Sequence, residues 1–323
     1  MALKISSCDP DFYESFESLL ARRATKVENA TRVSADIIEQ VRESGDEALI
    51  KLTKELDGLD LTSTDLIIDS GEIDEAINRV TADQYDALKF AADRITAFHL
   101  KQMPDNFEYL DEAEVKMGMR WSSVDSVGLY VPGGTASYPS SVLMNAIPAQ
   151  VAGVSRRVIT VPQTREAINP LVLAAAKLAG VQEVYRIGGA QAIAALAYGT
   201  ETINSVDKIV GPGNAFVAAA KKLVYGVVGI DSIAGPSEIL IVADTLNDPR
   251  WIAYDLLAQA EHDEVARAIL ITDSEKFATE VIKAVDEILA SLQRSEIARV
   301  SWDKQGAVTV SYTHLTLPTT TIV

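Results

Sequence analysis

The sequence has 323 residues, of which 48% are hydrophobic and 23% charged, a composition typical of a globular protein long enough for roughly two domains. Its 46 acidic and 29 basic side chains give a net charge of -17, which disfavours nucleic acid and anionic membrane surfaces as partners. The single cysteine, Cys8, excludes an internal disulfide framework, and the sequence shows neither a signal peptide nor an apolar run of about 18 residues, so we expect a cytoplasmic protein.

The first hundred residues are predicted to be mainly helical. Residues 11–23 form a short amphipathic segment, and residues 33–56 form two helical stretches separated by a glycine. Thr81 and Gln84 have the spacing of a capping box, and the helix that follows them must end before Pro104. The N-terminal region is therefore expected to contribute helices rather than strands.

Short apolar strands alternate with glycine-marked turns and helices from about residue 115 onward. The predicted strands are residues 127–131, 157–161, 183–187, 208–210, 239–243 and 268–272. This alternation predicts parallel sheets covered by helices. We therefore expect an α/β fold with two domains, the later one completed by the N-terminal helices.

Three glycine-rich turns, residues 132–134, 188–189 and 211–213, each follow a strand and open a helix. Such turns lie at the carboxyl ends of parallel strands, where open sheets bind ligands and helix N-termini favour anions. A single turn of this kind is most simply explained as the boundary between a strand and a helix, but three in one domain favour a nucleotide site. The ordinary G-x-G-x-x-G fingerprint of dinucleotide-binding proteins is absent.

Two further features are ambiguous by composition alone. The loop at residues 231–238 combines acids, hydroxyls, glycine and proline, and fits a plain turn as well as a binding site. Gln259 and His262 are three residues apart, so they project from one helix face and would make half of a metal site. The neighbouring acids Glu261 and Asp263 favour a solvated helix face instead.

The remaining reactive side chains offer few alternatives. His99 ends an amphipathic helix and is expected to be structural, and Cys8 has no evident activating partner. Residues 311–323 contain no charged side chain and no helical or strand periodicity, so we interpret them as sequence foreign to the protein. His314 lies within them, which makes His262 the one histidine expected to act as a ligand or catalyst.

Several motifs occur in the order in which they occur in histidinol dehydrogenases, and the sequence resembles that family from about the first helix to Val310. The motifs are YVPGG at 130–134, YPSSVLM at 138–144, GGAQA at 188–192, GPGN at 211–214, IDSIAGPSE at 230–238 and QAEHD at 259–263. The resemblance implies oxidation of L-histidinol to L-histidine through the aldehyde, with NAD as hydride acceptor and a bound zinc ion.

The resemblance also implies roles for individual residues. The residues expected to contact NAD are Tyr130, Gln191 and Asn214. The residues expected to contact the substrate are Ser237, Gln259 and His262, and the last two are also expected to bind zinc. The zinc would anchor the substrate amine and imidazole rather than activate a water molecule.

The fold implied by the resemblance is a pair of incomplete Rossmann-like domains with parallel sheets, similar to aldehyde dehydrogenases, in a homodimer. On this basis residues 1–24 form an N-terminal helical arm. Residues 25–108 and 237–310 together form a first, discontinuous domain, and residues 109–236 form a second, nucleotide-binding domain. Residues 311–323 are the non-native tail.

One departure from the family is large. An adjacent Glu-His pair that serves the proton transfers, and two further zinc ligands, an Asp and a His, should follow residues 306–308, and the sequence contains none of them. We therefore expect no turnover of histidinol by the 323-residue chain. Two other hypotheses stay open: a related enzyme that oxidises another small alcohol, and a non-catalytic nucleotide-binding module.

Overall fold

The computed structural model describes residues 2–21, 24–133, 138–163, 167–233, 235 and 237–311. The described residues alternate between helix and strand along most of the chain. The helices in chain order are α1 (Phe12–Ala21), α2 (Ala24–Asp57), α3 (Ser70–Ile77), α4 (Ala82–Leu100), α5 (Pro139–Val151), α6 (Pro170–Leu178), α7 (Gly189–Tyr198), α8 (Ala215–Val224), α9 (Pro249–Ala260), α10 (Glu275–Leu289) and α11 (Ser295–Gln305).

The strands are short, and most of them are parallel to their neighbours. In chain order they are β1 (Leu3–Ser6), β2 (Phe107–Leu110), β3 (Lys116–Met119), β4 (Ser126–Tyr130), β5 (Arg156–Thr160), β6 (Glu183–Tyr185), β7 (Lys208–Val210), β8 (Gly229–Ile230), β9 (Glu238–Val242), β10 (Arg267–Thr272) and β11 (Ala307–Val310). The six predicted strands are present, each within one or two residues of its predicted ends.

Helix ends follow the local signals in the sequence. Thr81 accepts from the Gln84 N–H while the Gln84 side chain accepts from the Thr81 N–H, so the predicted capping box is confirmed. The long helix α2 is kinked at Gly45, whose φ of 50° lies in the region that glycine favours. Helix α9 ends at Ala260, so His262 lies in the turn beyond the helix rather than on its face as predicted.

The described residues between 27 and 234 form one compact unit around a five-stranded parallel sheet. The strand order is β6-β5-β4-β7-β8, so the chain runs outward from β4 in one direction and then returns to begin again at β7 on its other side. Counted from β4 this is the order 3-2-1-4-5 of a doubly wound Rossmann-type sheet, with its topological switch point between β4 and β7.

Apolar residues cover both faces of this sheet. One core contains Ile38, Val41 and Leu49 of α2 together with Ile193 of α7 and Val217 of α8. The other core is built by α5 and α6, against which α3 and α4 pack. Cover on both faces explains why all five residues of β4 and the last four of β5 are buried, rather than every second residue.

The described residues of 1–26 and 235–323 form the other unit. Its parallel sheet has the order β1-β11-β10-β9, and α9, α10 and α11 supply its core, which includes Phe277, Leu256 and the fully buried Trp302. The N-terminus therefore does not form a purely helical arm as predicted. It begins with an edge strand, β1, whose pairing with β11 along residues 307–310 could not be read from four residues of sequence.

The predicted domain boundaries also differ from the observed units. The sequence predicts that residues 25–108 group with residues 237–310, whereas in the structure residues 27–108 belong with the five-stranded sheet. The physical reason is that the apolar face of α2 is buried against α7, and α3 and α4 are buried against α5 and α6. The predicted tail lies, apart from Ser311, outside the described residues.

One feature was not predicted. Strands β2 and β3 form an antiparallel two-stranded sheet, with Phe107 opposite Met119 and Tyr109 opposite Met117, and these four side chains are exposed. Among the helices of the described part of the chain, none is both long and apolar enough to cross a membrane.

Candidate functional site

The switch point of the five-stranded sheet lies where β4 and β7 end. Tyr130 is the last residue of β4, and Gly211 directly follows β7. Two helices leave the sheet in opposite directions at such a point, so a crevice opens between the turns that follow the strands. The predicted nucleotide residues Tyr130, Gln191 and Asn214 all lie at this carboxyl edge, on or beside those turns.

The glycines at this edge are required by close packing. A Cβ added to Gly211 would collide with the carbonyl oxygen of Tyr130, and a Cβ added to Gly188 would collide with the Pro162 side chain. Gly211 also has a φ of 117°, which other residues rarely adopt. The turn after β7 is therefore packed against the end of β4, and the turn after β6 against Pro162 beyond β5, with no room for a Cβ at either glycine.

Tyr130 is buried, and its hydroxyl oxygen accepts a hydrogen bond from the Gly189 N–H at 3.1 Å. This bond joins the end of β4 to the first residue of α7. Burial raises the pKa of Tyr130 to about 12, the Gly189 N–H partly opposes that rise, and the Asp57 carboxylate adds to it. Tyr130 is thus a neutral phenol near neutral pH, suited to packing and hydrogen bonding rather than proton transfer.

Gln191 is the most informative side chain of this edge. It lies in the first turn of α7, it is 1% exposed, and its Oε1 atom has no hydrogen-bond partner among the described residues. A buried acceptor without a donor costs about 1–3 kcal/mol. The N-cap of α7, Gly188, also provides no side-chain cap. Both features are explained if a ligand supplies the missing partners.

Asn214 has a local role besides the predicted contact with NAD. Its Oδ1 atom accepts from the N–H groups of Phe216 and Val217, both at 3.1 Å, and so caps helix α8. This use of Oδ1 leaves the Nδ2 amide as the group able to donate to a ligand. Asn214 therefore positions its own helix N-terminus and presents a donor at the same edge.

Sequence reasoning missed a pair of charged residues that bind the Gly211 peptide. Lys221 is buried, and its Nζ donates to the carbonyl oxygen of Gly211 at 2.9 Å and to the Asp231 carboxylate. Asp231 also accepts from the Gly211 N–H at 2.8 Å and from the Ser232 N–H at 2.6 Å. Although Asp231 lies in the loop that was recognised as ambiguous, nothing in the spacing pointed to Lys221 as its partner.

The other predicted residues lie in the other unit, at the amino edge of its sheet. Ser237 directly precedes β9, and its carbonyl oxygen accepts from the N–H of Arg267, the first residue of β10, at 3.0 Å. Gln259 is in the last turn of α9, and the His262 N–H donates to the Gln259 carbonyl oxygen at 3.2 Å. Because α9 leads back to the start of β10, the topology brings Gln259 and His262 to the same edge as Ser237.

The three predicted substrate residues are more exposed to solvent than Tyr130 and Gln191 of the switch point. Gln259 is partly buried, whereas Ser237 and His262 are exposed. No group of three or more His, Cys, Asp and Glu side chains able to hold a metal ion occurs among the described residues. Gln259 and His262 supply two donors, and zinc sites in proteins need at least three protein ligands. The described residues therefore do not by themselves fit a zinc ion.

Comparison with known proteins decides the family. A sequence profile described as Histidinol dehydrogenase matches residues 20–317. The chain is 56% identical over 308 residues to the histidinol dehydrogenase of Rhizobium meliloti, covering 95% of this chain and 71% of that protein. It is 54% identical over 308 residues to that of Brucella suis, with 95% and 72% covered. This chain belongs to the histidinol dehydrogenase family.

A solved structure agrees with the sequence relatives. The crystal structure of histidinol dehydrogenase from Elizabethkingia anophelis superimposes with a TM-score of 0.80 at 34% identity, covering 96% of this chain and 71% of that chain. The prediction of an α/β fold with parallel sheets and the predicted membership of the family are both confirmed. The chain is therefore an oxidoreductase by family, and an unrelated scaffold module is not favoured.

Proposed function

We propose that the chain serves in the oxidation of histidinol to histidine through the aldehyde, with NAD as the hydride acceptor. The observation that carries the nucleotide part is the buried Oε1 of Gln191, which has no partner among the described residues and lies beside the glycine turns of the switch point. In a member of the histidinol dehydrogenase family, a dinucleotide is the ligand whose chemistry matches this edge.

The residues of the switch point fit NAD by their chemistry. Gln191 Oε1 is an acceptor, and NAD offers ribose hydroxyls and a carboxamide N–H as donors. The uncapped first turn of α7 attracts the negatively charged pyrophosphate. Tyr130 holds the Gly189 peptide in place, and Asn214 Nδ2 supplies a donor. NAD, when bound, would accept the hydride that leaves the alcohol carbon.

The substrate part of the proposal rests on the amino edge of the other sheet. We infer that Ser237, Gln259 and His262 contact histidinol, which the shared edge and the exposure of Ser237 and His262 support. Zinc bound through Gln259 and His262 stays a proposal, because the described residues supply only two donors, and no chemical step is assigned to the metal.

Two further proposals concern the state of the protein in the cell. A homodimer is supported by the exposed apolar face that Phe107, Tyr109, Met117 and Met119 form on the β2–β3 sheet. The cytoplasm is supported by the single cysteine, Cys8, which is unpaired and exposed.

Titration of the purified chain with NADH, followed by fluorescence, tests the nucleotide site. We expect Gln191→Leu to raise the Kd for NADH about tenfold, because one hydrogen bond between uncharged groups of the protein and the ligand is lost. The same substitution removes an unsatisfied buried oxygen, so the free energy of unfolding should be unchanged or slightly higher.

Gln305→Leu is the matched control, because Gln305 is buried in the other unit. It should leave the Kd for NADH unchanged. If the wild-type chain does not bind NADH, the nucleotide site is wrongly assigned. If it binds NADH and Gln191→Leu binds equally well, Gln191 is not a contact. An assay of histidinol-dependent NADH formation by the purified chain tests the oxidation itself.

A further inference from the structure

The ion pair between the buried Lys221 and Asp231, whose side chain is 33% exposed, is not explained by packing alone. Lysine is almost never fully buried in proteins unless it is paired. Lys221 is 2% exposed, and its pairing is a weak source of stability because the buried ammonium loses its hydration. In some proteins such a pair is retained because it fixes a particular geometry.

The geometry it fixes is that of one peptide segment. Asp231 accepts from the Gly211 N–H at 2.8 Å, and Lys221 donates to the Gly211 carbonyl oxygen at 2.9 Å, so both polar groups of a single glycine are held. Lys221 and Asp231 also bind each other, which closes the arrangement. We call Lys221, Asp231 and the Gly211 peptide the clasp.

The clasped glycine is in a conformation that needs support. Its φ of 117° lies outside the regions that residues with a Cβ prefer, and it packs against the Tyr130 carbonyl oxygen with no space for a side chain. From Gly211 the chain reaches Asn214, which caps α8, within three residues. A change in the Gly211 peptide would therefore move the turn that carries Asn214 and change its fit against β4.

Asp231 is the carboxylate member of the clasp. Burial by itself opposes the carboxylate form of Asp231, but the Lys221 ammonium and the N–H groups of Gly211 and Ser232 outweigh it and lower the pKa of Asp231. Both members bind the Gly211 backbone, so their hydrogen bonds act on that peptide.

We propose that Lys221 and Asp231 are positioning residues that hold the Gly211–Gly213 turn in the geometry that binds the dinucleotide, an inference that rests on the proposed NAD site. By holding Gly211, the clasp sets the packing of the turn against the end of β4 and the position of Asn214. A purely structural ion pair would change the stability of the fold and leave the affinity for the nucleotide of the folded protein unchanged.

The test measures NADH affinity and the free energy of unfolding together, on the full chain. Asp231→Asn, Lys221→Met and the double variant are titrated with NADH at a temperature at which each is folded. We expect each single variant to raise the Kd roughly ten- to a hundredfold, the scale of effects from misplaced site groups. The double variant should be no worse than the poorer single variant, because both act through one peptide.

Glu183→Gln is the matched control. Glu183 accepts from Arg156 Nε at 2.7 Å and from Arg156 Nη2 at 2.9 Å, and both residues begin strands at the amino edge of the same sheet. Its loss should lower stability but change the Kd for NADH by less than about twofold, as expected for independent sites. Equal Kd values for Asp231→Asn and the wild type would overturn the clasp, and so would an equal rise in Glu183→Gln.

Hydrogen exchange on the unmodified chain keeps the inference testable if the clasp variants do not fold. The Gly211 and Ser232 amides, which donate to Asp231, should exchange more slowly when NADH is added. Unchanged exchange at both amides, with NADH bound, overturns the proposal. Absence of NADH binding to the wild-type chain is a separate result, which contradicts the proposed nucleotide site itself.

Discussion

The two units carry their predicted site residues at different edges of their parallel sheets, and with different degrees of burial. In the unit of residues 27–234 the set lies at the carboxyl edge, where Tyr130 and Gln191 are buried and backbone turns are packed by glycine. In the other unit Ser237 and His262 lie exposed at the amino edge. A nucleotide edge can thus be formed by one folded unit, whereas the substrate set needs groups beyond its own three side chains.

This contrast predicts that damage to one unit spares the function of the other. Trp302→Ala removes a fully buried side chain from the core of the four-stranded sheet, and we expect a loss of about 3–5 kcal/mol in the free energy of unfolding of that unit. Because the glycine turns lie in the other unit, the Kd for NADH should not change. Urea denaturation and NADH titration measure the two quantities.

Trp251→Ala is the control for that comparison, because Trp251 is exposed and its loss should change stability by no more than about 0.5 kcal/mol. A large rise in the Kd for NADH in Trp302→Ala, at a temperature at which the variant is folded, would contradict the separation of the two sites.

A second substitution addresses the packed carboxyl edge. Gly211→Ala places a methyl group against the Tyr130 carbonyl oxygen at a φ of 117°, and we expect a loss of about 3 kcal/mol or more together with weaker NADH binding. Gly226→Ala provides the comparison, since Gly226 has a φ of 105° but no atom within 4 Å of its added Cβ. It should lose only about 1 kcal/mol, the backbone cost alone. Similar losses in both variants would show that close packing at Gly211 does not matter.

The smallest effect is expected at the amino edge of the other unit. His262→Ala should change the free energy of unfolding by less than about 0.5 kcal/mol, because the side chain is exposed. Histidinol binding, measured by calorimetry, should weaken by about 1 kcal/mol, the contribution of one hydrogen bond. Glu264→Ala, another exposed change in the same turn, should leave histidinol binding intact. Equal histidinol affinity in all three proteins would remove His262 from the substrate set.

The sequence by itself determined the elements and the family. Apolar runs bounded by glycine predicted six strands, the Thr81–Gln84 spacing predicted a helix start, and ordered motifs identified the histidinol dehydrogenase family. These features are local, because caps, turns and strand periodicity depend on neighbours within a few residues.

Only the tertiary structure decided which elements pack together. It placed the apolar residues of α2 in the same core as those of α7. It also paired β1 with β11 at the edge of the four-stranded sheet, and it brought Lys221 to Asp231 around Gly211. Each of these depends on contacts whose partners are chosen by the shape and polarity of a whole surface, which no local pattern encodes. The Oε1 of Gln191, which lacks a partner within the described part of the chain, belongs to the same class, because an atom is unsatisfied only with respect to everything that surrounds it.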